Sequence, residues 1–115
     1  MNMLVVDDEA DIANMLAEFF CMEGYEVSVA HDGPSALAAA SSGPAPDIML
    51  LDVNMPGMDG FEVCRRVRKH VSCPIIFLTA RVEDMDQLDG FAAGADDYVL
   101  KPMATDFTLS LGVAF

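Results

Sequence analysis

Apolar, largely β-branched runs recur along the chain at 3–6, 27–30, 48–51 and 75–78, with a shorter one at 98–100. Three of them lack polar alternation, the pattern of strands buried on both faces. Helical spacing fills the intervals. Ile12, Met15, Leu16, Phe19 and Phe20 recur at i, i+3, i+4, i+7 and i+8, which predicts one apolar helical stripe. A short Ala-rich helix is predicted over 34–41, a third helix by Phe61, Cys64, Val67 and Val71, and a fourth by Met85, Leu88, Phe91 and Ala95. Gly24 ends the first helix, and the Ser-Gly-Pro-Ala-Pro stretch at 42–46 separates the second from its strand. Strands alternating with crossovers of this length predict an α/β fold, a doubly wound parallel sheet in one domain.

Composition narrows the class. With 115 residues, 53% hydrophobic and 22% charged, the chain is not an acidic disordered tail despite its net charge of -13. No apolar run reaches the ~20 residues a bilayer demands. No leader indicates export. Three cysteines (Cys21, Cys64 and Cys73) without CxxC spacing read as reduced, buried thiols. The expected location is therefore cytoplasmic. Residues 1–64 carry twelve acids and no Lys or Arg, whereas four of the six basic residues cluster at Arg65, Arg66, Arg68 and Lys69. So acidic a surface repels phosphate backbones, so no direct nucleic-acid binding is expected. The basic cluster reads as the solvated face of one helix.

Open parallel sheets collect their chemistry at the carboxyl ends of the strands. The first predicted strand ends in Asp7, Asp8 and Glu9, the third in Asp52 and the fourth in Thr79, while Lys101 and Pro102 follow the fifth. Singly, each has a plain alternative: Asp8 or Glu9 as a helix cap, Thr79 as a strand end, Lys101 as a solvated lysine. Together they imply a crevice whose aspartates repel one another unless a cation sits among them. Oxygen ligands with room for water suit Mg²⁺. The ion plus one lysine would let the crevice hold a phosphoryl group, and Asp52, alone on the central strand, is the natural nucleophile. Pro56 and Gly57 force a turn in the loop that follows, and Asp59 is placed to cap the next helix.

LVVDDE at 4–9, LLDVNMPGMDG at 50–60, PIIFLTA at 74–80 and GADDYVLKP at 94–102 together resemble the receiver domain of two-component response regulators, most closely the OmpR/PhoB-type transcriptional regulators. The resemblance spans residues 3–103 and implies a flavodoxin-like, five-stranded sheet of order 2-1-3-4-5. It implies that Asp52 accepts a phosphoryl group from a sensor histidine kinase and that the domain switches an output, transcription regulation in a full-length protein. Asp8 would then bind Mg²⁺ directly, Asp7 through water, and Asn54 through its backbone carbonyl. Lys101 would pair with the phosphoryl oxygens, Thr79 would swing onto them, and Tyr98 would turn inward behind it. The peptide before Pro102 would be cis, Ala80 would leave access to the phosphoaspartate, and Asn54 and Arg81 would tune its lifetime. The exposed side of the first helix, around Asp11, Asn14 and Glu18, would dock the kinase. Phosphoryl acceptance and autodephosphorylation are self-catalysed, so no conventional enzyme is expected.

Receiver domain 1–103 is followed at 104–115 by a departure from the family. A receiver ends in a basic amphipathic fifth helix, but this segment has no Lys or Arg, and its apolar residues Phe107, Leu109, Leu111, Val113 and Phe115 recur with period two. The fifth helix is thus expected to be atypical or missing. The salt bridges of the family's phospho-dimer lose their basic partners, which argues against the usual homodimer. His31 and His70 read as surface residues far from the motifs. Two rival functions stand beside the receiver reading. A haloacid-dehalogenase-type phosphohydrolase wants Asp two residues after its nucleophile, where this chain has Asn54. The other is a receiver-like interaction module acting without phosphorylation.

Overall fold

The computed structural model describes residues 1–79 and the backbone of the strand at 97–100. The elements are β1 (Asn2–Val6), α1 (Ala10–Met22), β2 (Glu26–Ala30), α2 (Gly33–Ser41), β3 (Ile48–Asp52), α3 (Gly60–Val67), β4 (Ile75–Thr79) and β5 (Asp97–Leu100). All five strands form one parallel sheet of order β2-β1-β3-β4-β5. The predicted fourth helix, Ala80, Arg81, the side chain of Tyr98, the Lys101–Pro102 pair and the 104–115 segment lie outside the described residues.

Period-two alternation divides each inner strand between two cores. Met3 and Val5 of β1, Leu50 of β3 and Leu78 of β4 pack with Ala13, Leu16 and Phe20 of α1. Leu4 and Val6, Met49 and Leu51, and Ile75 and Phe77 face the opposite way, against Ala36 and Ala40 of α2 and Val63, Cys64 and Val67 of α3. Both faces of the inner strands are thereby covered, which is why their sequences are apolar without interruption. Each large aliphatic or aromatic side chain covered in this way contributes about 1.5–3 kcal/mol. Edge strand β2 instead alternates exposed and half-buried residues up to Ala30.

Helix boundaries follow local chemistry. Asp32 caps α2 by accepting from the Ser35 amide at 2.7 Å, with Pro34 in the first turn. Asp59 caps α3 in the same way, accepting from the Glu62 amide at 2.9 Å. Beyond α1, Gly24 adopts φ +98°, a conformation that side-chain-bearing residues rarely enter. At α1 itself Glu9 occupies the capping position without a side-chain capping bond, and its amide donates to Asp7 Oδ1 at 2.8 Å.

Two sequence expectations need correction. Cys64 is buried and Cys73 partly so, but Cys21 is exposed, because position 21 falls outside the Leu16–Phe20 stripe that faces the sheet. The basic cluster is solvated as expected at Arg65, Arg66 and Lys69, which are exposed, and departs from that expectation at Arg68. Arg65 and Arg66 pair with Glu62 at 3.7 and 3.1 Å, and the half-buried Arg68 donates to the carbonyl of Cys73, tying α3 to the approach to β4.

Candidate functional site

Parallel pairing brings the strand ends to one level. Val6 is in register with Leu51 and Asp52 with Leu78. Asp7 therefore emerges beside Asp52, and Thr79 one residue further along β4. Asp7 is 0% exposed, Asp52 2% and Thr79 0%, while Asp8 is exposed at the rim. One carboxylate oxygen from each of Asp7, Asp8 and Asp52 lies within 4.8 Å of the others. Oδ2 of Asp7 and Oδ2 of Asp52 are closed off from solvent.

Such crowding opposes folding. Two unit charges about 4.8 Å apart repel by roughly 3 kcal/mol at an effective dielectric of 20. A divalent cation reverses the sign of this interaction. Mg²⁺ takes a few carboxylate oxygens and keeps several waters, so Asp7, Asp8 and Asp52, converging with one member open to solvent, are residues that would hold it. The donor set, all hard carboxylate oxygen with one exposed member for access, fits Mg²⁺ and does not favour softer metals.

The loop after β3 is held tightly around Asp52. The Val53 amide donates to the Leu78 carbonyl at 3.0 Å, and the Gly60 amide returns to the Val53 carbonyl at 2.9 Å. Gly57 takes φ +80° at the turn, where the sequence predicts one. Gly60 packs against the backbone of the acidic strand end: a Cβ there would run into the carbonyl oxygen of Asp52 and stand 2.9 Å from Val53 Cα. Asn54 is exposed at the start of this loop. Lys101, the remaining predicted site residue, lies outside the described residues. A separate concavity of about 610 Å³, lined among others by Leu37, Glu62, Arg66 and Lys69, shares no residue with the acidic site.

Two contributors escaped the sequence reading. Gly60 was part of a motif, but its close approach to Asp52 is visible only once the loop has folded back. His31 lies far from the motifs in the sequence, and the structure corrects that reading: it is exposed, as expected, yet its Nδ1 lies 3.0 Å from the backbone carbonyl oxygen of Asp7. The strand order supplies the reason. With β2 next to β1, the residue that follows β2 stands beside the residue that follows β1.

A parallel sheet with a buried acidic cluster at the carboxyl ends of its central strands defines the doubly wound α/β class with its site at the switch in strand order. The chain belongs to the response regulator receiver domain family, which it matches over residues 3–110. A receiver domain is a signalling module and not a conventional enzyme. Among solved structures, the response regulator TrrA of Thermotoga maritima, in complex with Mg²⁺–BeF, is 39% identical, with 98% of this chain and 96% of that one covered and a TM-score of 0.81. The chemotaxis response regulator CheY4 of Vibrio cholerae is 34% identical over the same shares, with a TM-score of 0.84. A two-component response regulator of Clostridium difficile is 25% identical, covering 99% of this chain and 93% of its own, with a TM-score of 0.83.

Proposed function

We propose that Asp52 is the phosphoacceptor of a Mg²⁺-dependent receiver, with a phosphohistidine on a sensor histidine kinase as donor. A carboxylate oxygen of Asp52 attacks phosphorus as the N–P bond breaks, and the released imidazole nitrogen takes a proton. The observation that carries this reading is the convergence of Asp7, Asp8 and Asp52 within 4.8 Å at the ends of two central strands. Asp8, Asp7, Asp52 and the Asn54 carbonyl are the proposed Mg²⁺ ligands; the ion, when bound, neutralises the phosphoryl oxygens. Thr79 and Lys101 are assigned to those same oxygens, Thr79 from the buried end of β4. The relative in complex with Mg²⁺–BeF supports the cofactor assignment.

The GADDY and KP segments favour an OmpR/PhoB-type output, transcription regulation in a longer cytoplasmic protein, with 1–103 as the receiver and 104–115 as an atypical tail. Among the described residues no helix is long and apolar enough to cross a membrane.

The test is incubation with Mg²⁺ and acetyl phosphate, read by intact mass and size-exclusion volume, with Asp52→Ala as control. One phosphoryl adduct that is lost in the control is expected. No adduct on a folded, Mg²⁺-binding protein would overturn phosphoacceptance and favour an interaction module.

A further inference from the structure

Asp7 is fixed at three points at least. Its amide donates to the Ala30 carbonyl at 3.0 Å, the last rung joining β1 to β2. Its Oδ1 accepts from the Glu9 amide at 2.8 Å, and its carbonyl oxygen faces His31 Nδ1 at 3.0 Å. A carbonyl only accepts, so Nδ1 carries the hydrogen. Val6 and Ala30 are the last paired residues of the two strands. The paired register ends there, and Asp32 beyond it caps α2. The His31 ring supplies a donor to the Asp7 carbonyl at the point where the ladder stops.

We propose that His31 is a positioning residue of the acidic site, whose ring N–H clamps the Asp7 backbone and so fixes where the buried Asp7 carboxylate stands relative to Asp8 and Asp52. The bond reaches the site through Asp7, and its role in cation binding rests on the receiver reading given above. Groups behind metal ligands matter because a site already in its bound geometry loses less freedom on binding. The hydrogen bond, rather than ring bulk or charge, is the operative feature. Asn can therefore substitute, because its Nδ2 follows Cγ by one bond, as Nδ1 does in histidine.

The experiment compares the wild type, His31→Ala and His31→Asn by Mg²⁺ titration and, without metal, by hydrogen exchange at the Glu9 amide, which reports the Asp7 carboxylate. Thermal midpoints in EDTA monitor the fold. His31→Ala is expected to bind Mg²⁺ about fivefold more weakly, as loss of one neutral hydrogen bond implies, and to exchange faster at Glu9. His31→Asn is expected to restore both to within about twofold. Unchanged or tighter binding by His31→Ala, or no rescue by a folded His31→Asn, overturns the clamp. If the wild type binds no Mg²⁺, the receiver reading fails by itself. Glu9 exchange then decides the clamp: faster exchange in His31→Ala with rescue by His31→Asn sustains it, and any other pattern overturns it.

Discussion

Asp8 stands at the exposed rim of the acidic site, one of its oxygens within 4.8 Å of an oxygen from each of the buried carboxylates of Asp7 and Asp52. Its charge opposes the metal-free fold and favours a bound cation, so one substitution should move the two properties in opposite directions. Asp8→Asn is expected to stabilise the metal-free protein by on the order of 0.5–1 kcal/mol, a rise of a few degrees in melting temperature. The rise that Mg²⁺ gives the wild type should shrink or vanish. Calorimetry in EDTA and in 10 mM Mg²⁺ reads both, and a less stable Asp8→Asn that still responds fully to Mg²⁺ would refute the charge argument. The residue types of the site were legible at this scale, because three aspartates following apolar runs are costly without a function. The contribution of His31 was not, because a hydrogen bond to a main-chain carbonyl leaves no mark on spacing.

At the scale of elements, α2 and α3 begin alike, each with an aspartate accepting an amide three residues on. For Asp32, the Ser35 backbone amide and then the Ser35 side chain hold the carboxyl below its usual range. For Glu62, the hydrogen bond from Arg66 comes first, with both Arg66 and Arg65 adding attraction. A carboxyl whose pKa is depressed by folding adds stability that is fully present above its unfolded value, near 4, and is lost as pH falls through the depressed value. Asp32→Ala should therefore lower the urea midpoint at pH 7, with a deficit constant down to about pH 5 that narrows in stronger acid. Urea titrations from pH 7 to 2.5 test this, and a deficit that widens on acidification would contradict it. The elements themselves were readable: each predicted strand through 75–78 lies inside the observed one, and the Asp59 cap stands where the motif puts it. The α1 start was not, since the folded backbone gives the Glu9 amide to Asp7 rather than to a cap.

Across the whole molecule, a net charge of -13 makes self-repulsion a standing cost of compactness. The Debye length falls from about 30 Å at 0.01 M salt to about 10 Å at 0.1 M, which screens distant pairs first. Raising NaCl from about 0.01 to 0.3 M is thus expected to raise the melting temperature by several degrees, nearly as much in Asp8→Asn as in the wild type. A salt response that disappears in Asp8→Asn would place the repulsion in the acidic site rather than over the surface.

Hydrophobic period and punctuation were enough to determine a parallel α/β sheet and to name the acids at its strand ends. Both are written locally, by the burial each face needs and by the turns each residue permits. Order is another matter: the sequence motifs implied 2-1-3-4-5 only through resemblance, and the pairing itself places Asp7, Asp8 and Asp52 within reach of one another. The tertiary structure alone decided that Gly60 must lack a side chain to pass Asp52, and that His31 meets Asp7 across 24 residues of chain. Such contacts depend on which strands become neighbours, and a linear pattern carries no distance between residues that only folding brings together.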